Sequence, residues 1–192
     1  MKIFYMLVLL VCSVSAQTNI QLYCNTDLLK ASRDSAVAQI GVIEKTGRND
    51  GADIEKYLKS TFTNKGSSYC AAAVYWCFFA AANDLKLSLN QIPIKRTALA
   101  NGILNDALLR GKKINYVPKE HSLIIWKYPN NCFGHIERIL SVEKAGWVTT
   151  VAFNVSGFSS KYKNKVEGVF LKKRNIFHQL GKIRIRGMIS FV

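Results

Sequence analysis

A cysteine at the start of a long uncharged segment is the residue of this sequence best placed for covalent chemistry. Cys70 is the second residue of a stretch, residues 69–82, that contains no charged side chain. Ser67 or Ser68 precedes it, and either type can cap a helix by accepting free backbone N–H groups. A helix N-terminus favours negative charge and therefore the nucleophilic thiolate. The alternative is that Cys70 is a small buried hydrophobic residue.

A thiolate nucleophile needs a base, and the sequence offers three histidines: His121, His135 and His178. His121 lies in a charged loop and His178 in a basic tail, whereas His135 follows Gly134 at the opening of a predicted strand. A strand that packs against the cysteine helix brings its first residue near the helix N-terminus, so we favour His135 as the base. The alternative is a structural histidine with satisfied hydrogen bonds.

Asn154 is the candidate for a third role, because it ends the next predicted strand. Its side-chain oxygen could accept a hydrogen bond from the imidazole of His135 and orient the ring. The alternative is that Asn154 is only a turn residue at a strand end. The chain order of Cys70, His135 and Asn154 on helix, strand and strand is that of papain-like hydrolases.

The spacing of apolar residues places these side chains on a particular kind of fold. A helical period predicts helices at residues 25–43 (interrupted near Arg33 and Asp34), 53–60, 69–82 and 97–110. A two-residue period predicts strands at residues 122–127, 134–142, 147–154, 168–173 and 182–192, the last as one strand or a pair. Helices followed by antiparallel strands predict an α+β fold, with the nucleophile at the start of a buried helix packed on the sheet. Without a repeat or linker, we expect one domain over residues 17–192.

The N-terminus has the pattern of a secretion signal. Lys2 is followed by an apolar stretch at residues 3–11 and by small residues at 14–16, so we expect residues 1–16 to be a signal peptide and the mature chain to start at Gln17. We expect a protein exported to the periplasm or the extracellular space. Val11 before Cys12 does not fit a lipoprotein signal. Residues 69–82 are shorter than the roughly twenty residues that cross a bilayer.

Four cysteines remain after the predicted signal: Cys24, Cys70, Cys77 and Cys132. An even number in an oxidising compartment permits disulfides, but a catalytic Cys70 must stay free and leaves an odd number for pairing. Cys77 lies two helical turns after Cys70, which favours a buried packing role.

The charge balance is strongly basic, with 27 Lys and Arg against 12 Asp and Glu, a formal net charge of +15 and a pI near 9.7. Nucleic acid is one partner for such a chain, but the export signal argues against it. An acidic envelope polymer or anionic lipid is favoured, and a merely solubilising charge is the alternative. Six cations cluster late in the chain: Lys161, Lys163, Lys165, Lys172, Lys173 and Arg174.

Several of these motifs resemble one family. Residues 68–78 (SYCAAAVYWCF) look like the nucleophile motif of the CHAP family, the cysteine- and histidine-dependent amidohydrolases/peptidases. Residues 134–136 (GHI) are similar to its glycine-histidine-hydrophobic motif, and residues 150–154 (TVAFN) stand where it often has threonine-hydrophobic-glutamate-glycine-asparagine. Residues 44–58 and 167–170 also resemble segments of a bacterial branch, so the likeness covers nearly all of the mature chain.

The resemblance implies a papain-like fold that cleaves amide bonds in peptidoglycan. Cys70 would attack the carbonyl, His135 would hold the thiolate and protonate the leaving amine, and Asn154 would orient His135. The backbone N–H of Cys70 is a candidate oxyanion donor. No metal or other cofactor is required, and no cluster with metal-ligand spacing occurs in the sequence.

The chain also departs from the family pattern. Ala152 and Phe153 replace the usual acid and glycine, and Glu137 stands two residues after the histidine, where the family usually has a small residue. Glu137 therefore either narrows access beside the base or points to the other face of its strand.

Two functions fit these observations. The first is an exported peptidoglycan hydrolase, either an N-acetylmuramoyl-L-alanine amidase or an endopeptidase within the peptide. The second is a catalytically impaired, basic wall-binding or interaction protein on the same fold, which the altered third motif favours. In both cases we expect a monomer whose partner is peptidoglycan or its peptide stems, with no nucleic acid.

Overall fold

The computed structural model describes residues 18–115 and 117–192, so the predicted signal peptide lies outside the described residues. The described helices are α1 (Thr26–Val37), α2 (Ala52–Ser60), α3 (Cys70–Asp84) and α4 (Ala100–Arg110). The strands are β1 (Thr18–Leu22), β2 (Lys112–Lys113), β3 (Leu123–Lys127), β4 (Gly134–Val142), β5 (Trp147–Ser159), β6 (Asn164–Asn175) and β7 (Arg184–Phe191). Two short 3-10 helices, Leu89–Gln91 and Lys144–Gly146, lie in connections.

All seven described strands form one sheet in the order β2-β1-β7-β3-β4-β5-β6. Neighbouring strands are antiparallel except β1 and β7, which pair in parallel from Thr18 opposite Gly187 to Leu22 opposite Phe191. Four helices and a seven-stranded sheet are compatible with the predicted α+β class. The prediction of a purely antiparallel sheet is corrected, because β1 was not predicted and its pairing makes the sheet mixed.

Helix α3 lies at the centre of the molecule. It contacts the helices α1, α2 and α4, the 3-10 helix at Leu89–Gln91, and the strands β4 and β5. Its alanines at 71–73, 81 and 82 are buried, and such small side chains let neighbouring elements approach closely. A helix without a polar face is stable only when it is covered by other elements, and these neighbouring helices and strands provide the cover.

The sheet has a second, smaller apolar layer on the face away from the helices. Its buried residues include Ile124, Trp126, Ile139, Val148 and Met188, and they pack with residues from the connection between β6 and β7. The two layers hold β3 and β4 from both faces, which fixes the strand that carries His135.

The starts of helices α1 and α3 differ from what the sequence predicted, and so does the end of α1. Asn25, whose side chain accepts the N–H groups of Asp27 and Leu28, caps α1, and that helix runs without interruption through Arg33 and ends at Val37. The predicted interruption and the extension to residue 43 are wrong. The predicted serine cap of α3 is also wrong, because Tyr69 is the N-cap residue and makes no side-chain capping hydrogen bond.

Within residues 18–115 and 117–192, none of the helices combines the length and the apolar character needed to cross a membrane.

The parallel pairing of β1 with β7 can be tested at Gly187. A Cβ atom at this position would lie 2.0 Å from the carbonyl oxygen of Thr18, so we expect Gly187→Ala to separate the strands and lower the free energy of unfolding by about 1–3 kcal/mol. Urea denaturation measures the change. Gly102→Ala is the control. Gly102 lies in helix α4, and a Cβ there would lie 3.3 Å from the nearest side-chain atom, so no backbone clash is expected. An equal effect of both substitutions would contradict the pairing.

Candidate active site

Cys70 is the first residue of α3, and its side chain faces a groove at the helix N-terminus. The residue is 5% exposed. The groove has a volume of about 1300 Å³, and its lining includes Cys70, His135 and Asn154. The structure therefore gathers all three predicted site residues around one groove.

His135 reaches Cys70 because β4 begins beside the helix N-terminus. Gly134, paired with Lys127, lets β3 lie close to the start of β4, since a Cβ there would lie 2.0 Å from the carbonyl oxygen of Trp126. The imidazole and the sulfur of Cys70 line the same groove, and their interaction helps to raise the pKa of His135. Nε2 of the ring lies 3.0 Å from Oε1 of Glu137, which leaves Nδ1 for the thiol.

Glu137 is the residue of the site whose contact with His135 was not predicted from the sequence. Two residues along the same strand from His135, it projects from the same face of β4. It is fully buried, accepts a 2.6 Å hydrogen bond from the hydroxyl of Thr150, and is bound by Arg174. The Arg174 guanidinium donates from Nε to both carboxylate oxygens, at 3.1 and 3.0 Å, and from Nη2 to Oε1 at 2.6 Å. The spacing of two residues between His135 and Glu137 could have predicted this contact, because side chains at that spacing lie on the same face of a strand.

Asn154 performs a different task from the one predicted. Its Oδ1 accepts the backbone N–H of Tyr69 at 3.2 Å, and its Nδ2 donates to Oδ1 of Asn49 at 2.7 Å. It lies at a register shift in β5 with a positive φ of 59°. The prediction that Asn154 orients His135 is therefore corrected: Glu137 makes that hydrogen bond, and Asn154 holds the peptide that precedes Cys70.

The buried charges of the site support one another. Burial opposes the charging of His135, but its hydrogen bonds and charge interactions with Cys70 and Glu137 outweigh burial and raise the pKa of the imidazole well above 6.5. Burial likewise opposes the charging of Glu137, yet His135 and Arg174 hold the pKa of its carboxyl below the usual range. These interactions favour the charged form of His135, beside the sulfur of Cys70, and the charged form of Glu137.

The remaining cysteines and histidines lie elsewhere. The four described cysteines are all free. Burial raises the pKa of the Cys24 thiol to about 11 and that of Cys77 to about 12, so both stay protonated. His121 lies 3.5 Å from a nitrogen of Arg138, and His178 contacts the ring of Trp147.

Among the described residues, no group of three or more His, Cys, Asp or Glu side chains is arranged to hold a metal ion. Comparisons of the chain with protein-family models, with curated proteins and with solved structures gave no match. The site itself consists of the sulfur of Cys70 at a helix N-terminus, the imidazole of His135 in the same groove and the buried carboxylate of Glu137 behind the imidazole.

The role of Glu137 can be tested by following the titration of His135 with nuclear magnetic resonance. Glu137→Gln removes the negative charge that stabilises the imidazolium and leaves Arg174 positive nearby, so we expect the pKa of His135 to fall by at least about one pH unit. Asn154→Ala is the matched control and should leave this pKa unchanged. The reverse result, in which only Asn154→Ala moves the titration, would contradict the assignment.

Proposed function

We propose that this chain is an exported peptidoglycan hydrolase of the CHAP type with a papain-like arrangement, and that it cleaves an amide bond by cysteine catalysis. The observation that carries the proposal is that Cys70, at the N-terminus of a buried helix, and His135 line one groove, and that Nε2 of His135 lies 3.0 Å from Oε1 of Glu137. A nucleophile, a base and a group that orients the base are the parts that covalent acyl transfer requires.

In the first half of the reaction, the thiolate of Cys70 attacks the amide carbonyl. The backbone N–H of Cys70 would donate to the developing oxyanion, because the first N–H groups of a helix have no partner within it. The imidazolium of His135 would then give its proton to the leaving amine, which departs and leaves a thioester on Cys70.

In the second half, water attacks the thioester. His135, now neutral, would take a proton from this water, and the collapse of the intermediate would release the new carboxylic acid and restore the thiolate–imidazolium pair. Glu137 would hold the ring in one orientation and stabilise its positive charge, while Arg174 and Thr150 hold Glu137.

The alternative of an impaired binding protein depended on the missing acid at position 152. Glu137 stands directly opposite Ala152 in the pairing of β4 with β5. A carboxylate on the neighbouring strand therefore occupies the vicinity of the lost one and bonds the imidazole. Because Glu137 supplies a carboxylate to His135, the site supports the hydrolase over the impaired binding protein.

The basic residues support an acidic partner in the cell envelope. Of the six clustered cations, Arg174 pairs with Glu137 and Lys173 with Glu143, and Lys172 donates to the carbonyl of Ser156 at 2.6 Å. The other three, Lys161, Lys163 and Lys165, are exposed around the turn between β5 and β6. We call these three residues the hairpin lysines.

The hydrolase proposal can be tested by digesting purified peptidoglycan and identifying the fragments by mass spectrometry. We expect Cys70→Ser to fold normally and to lose cleavage by at least about 10³-fold, since a hydroxyl is far harder to ionise than a thiol. Cys77→Ser is the control: it should lower stability more than turnover. Unchanged cleavage by Cys70→Ser would refute the mechanism, and wall binding by a wild type that cleaves nothing would favour the binding protein.

The role of the hairpin lysines can be tested by sedimentation with insoluble peptidoglycan. We expect binding to weaken as salt shortens the Debye length to about 10 Å and below, and to weaken further when all three lysines are changed to glutamine. The triple substitution Lys30→Gln, Lys112→Gln and Lys113→Gln removes the same charge from other exposed positions. Equal losses from the two triple variants would show that only the net charge matters.

A further inference from the structure

We infer that Arg96 forms a carboxylate-binding subsite in the groove beside Cys70, and that this subsite selects peptides with a free carboxylate near the cleaved amide. The identification of the ligand as a substrate peptide rests on the proposed function. The subsite itself is inferred from the contacts that fix the guanidinium of Arg96 and from the terminal nitrogens that have no hydrogen-bond partner.

Arg96 is fixed from two sides. Its Nε donates to the carbonyl oxygen of Ser60 at 2.6 Å, and its guanidinium carbon lies 3.7 Å from the ring centroid of Phe62. Ser60 is the last residue of α2, and Phe62, two residues later, has a positive φ of 56° and is 80% exposed. The guanidinium is therefore oriented before any ligand binds, which lowers the entropy cost of binding.

The two terminal nitrogens of Arg96 remain available. Within the described part of the chain, neither Nη1 nor Nη2 has a hydrogen bond, and no acid forms an ion pair with Arg96. A planar guanidinium with both terminal groups free matches the two oxygens of a carboxylate.

The other cations of the groove are already occupied. Besides Arg96, the charged lining consists of Glu167, Lys172, Arg174 and His135. Arg174 and His135 are bonded to Glu137, and Lys172 is bonded to the carbonyl of Ser156. Arg96 is thus the lining cation whose terminal nitrogens have no partner among the described residues.

The surroundings of Arg96 suit a peptide. Its neighbours in the groove lining are the threonines at 61, 63 and 97 and the apolar residues Ala98 and Leu99. Hydroxyl groups can bond peptide N–H and C=O groups, and the apolar pair can cover aliphatic side chains. Because Arg96 and Cys70 line one groove, the recognised carboxylate belongs to the segment that carries the cleaved amide.

The subsite can be tested by calorimetry without turnover, with Cys70→Ala as the parent protein. The probes are a soluble muropeptide with free carboxylates and the same muropeptide with those groups converted to carboxamides. We expect the parent to bind the acid form about tenfold more tightly or better, as hydrogen bonds to charged groups predict. Adding Arg96→Gln should abolish this preference, and Arg96→Lys should restore only part of it.

Arg33→Gln, which changes a partly exposed arginine of α1 outside the groove, is the matched control and should keep the preference. The proposal is overturned if Arg96→Gln weakens both probes equally, if the preference persists in that variant, or if the parent binds neither probe. The hydrolase proposal fails separately: a wild type that cleaves no wall while its Cys70→Ala form keeps an Arg96-dependent acid preference would retain the subsite and refute the enzyme.

Discussion

The ion pair between Glu137 and Arg174, buried beneath His135, is the interaction on which the site depends. Burying a carboxylate away from water costs several kcal/mol of folding free energy unless opposite charges and hydrogen-bond donors surround it. Here Arg174 binds both of its oxygens, Thr150 donates to one, and His135 contacts the other. These partners come from three adjacent strands, β4, β5 and β6, so the pairing of the strands and the charge state of the site are linked.

The side chains of the candidate site project from well-packed elements. His135 projects from a strand that is packed on both faces, and Cys70 projects from a helix covered by the other helices and the sheet. Asn154 joins the two parts, since it lies in β5 and accepts the N–H of the residue before Cys70. Removal of Glu137 would leave Arg174 with an unpaired charge, so the site and the local fold would be weakened together.

The sequence predicted the parts of the site that depend on local patterns. The uncharged segment predicted the buried helix, and Gly134 before an alternating segment predicted the strand that carries His135; the structure has β4 at Gly134–Val142, as expected. The partner of His135 was missed because the ion pair that makes a buried Glu137 tolerable comes from Arg174, on a strand far along the chain. Strand β1 was missed for a similar reason: five residues have little signal of their own, and their pairing with β7 joins the two ends of the described chain.

The central claim, that Cys70 is the acylated nucleophile, is tested most directly by intact-protein mass spectrometry during turnover. The protein is mixed with soluble muropeptide, quenched in acid at successive times and digested to locate any modification. The account predicts a transient mass increase equal to the acyl fragment of the substrate, located on Cys70 and absent from Cys70→Ala. Cleavage products that accumulate while Cys70 stays unmodified at every time, and that also form with Cys70→Ala, would contradict it.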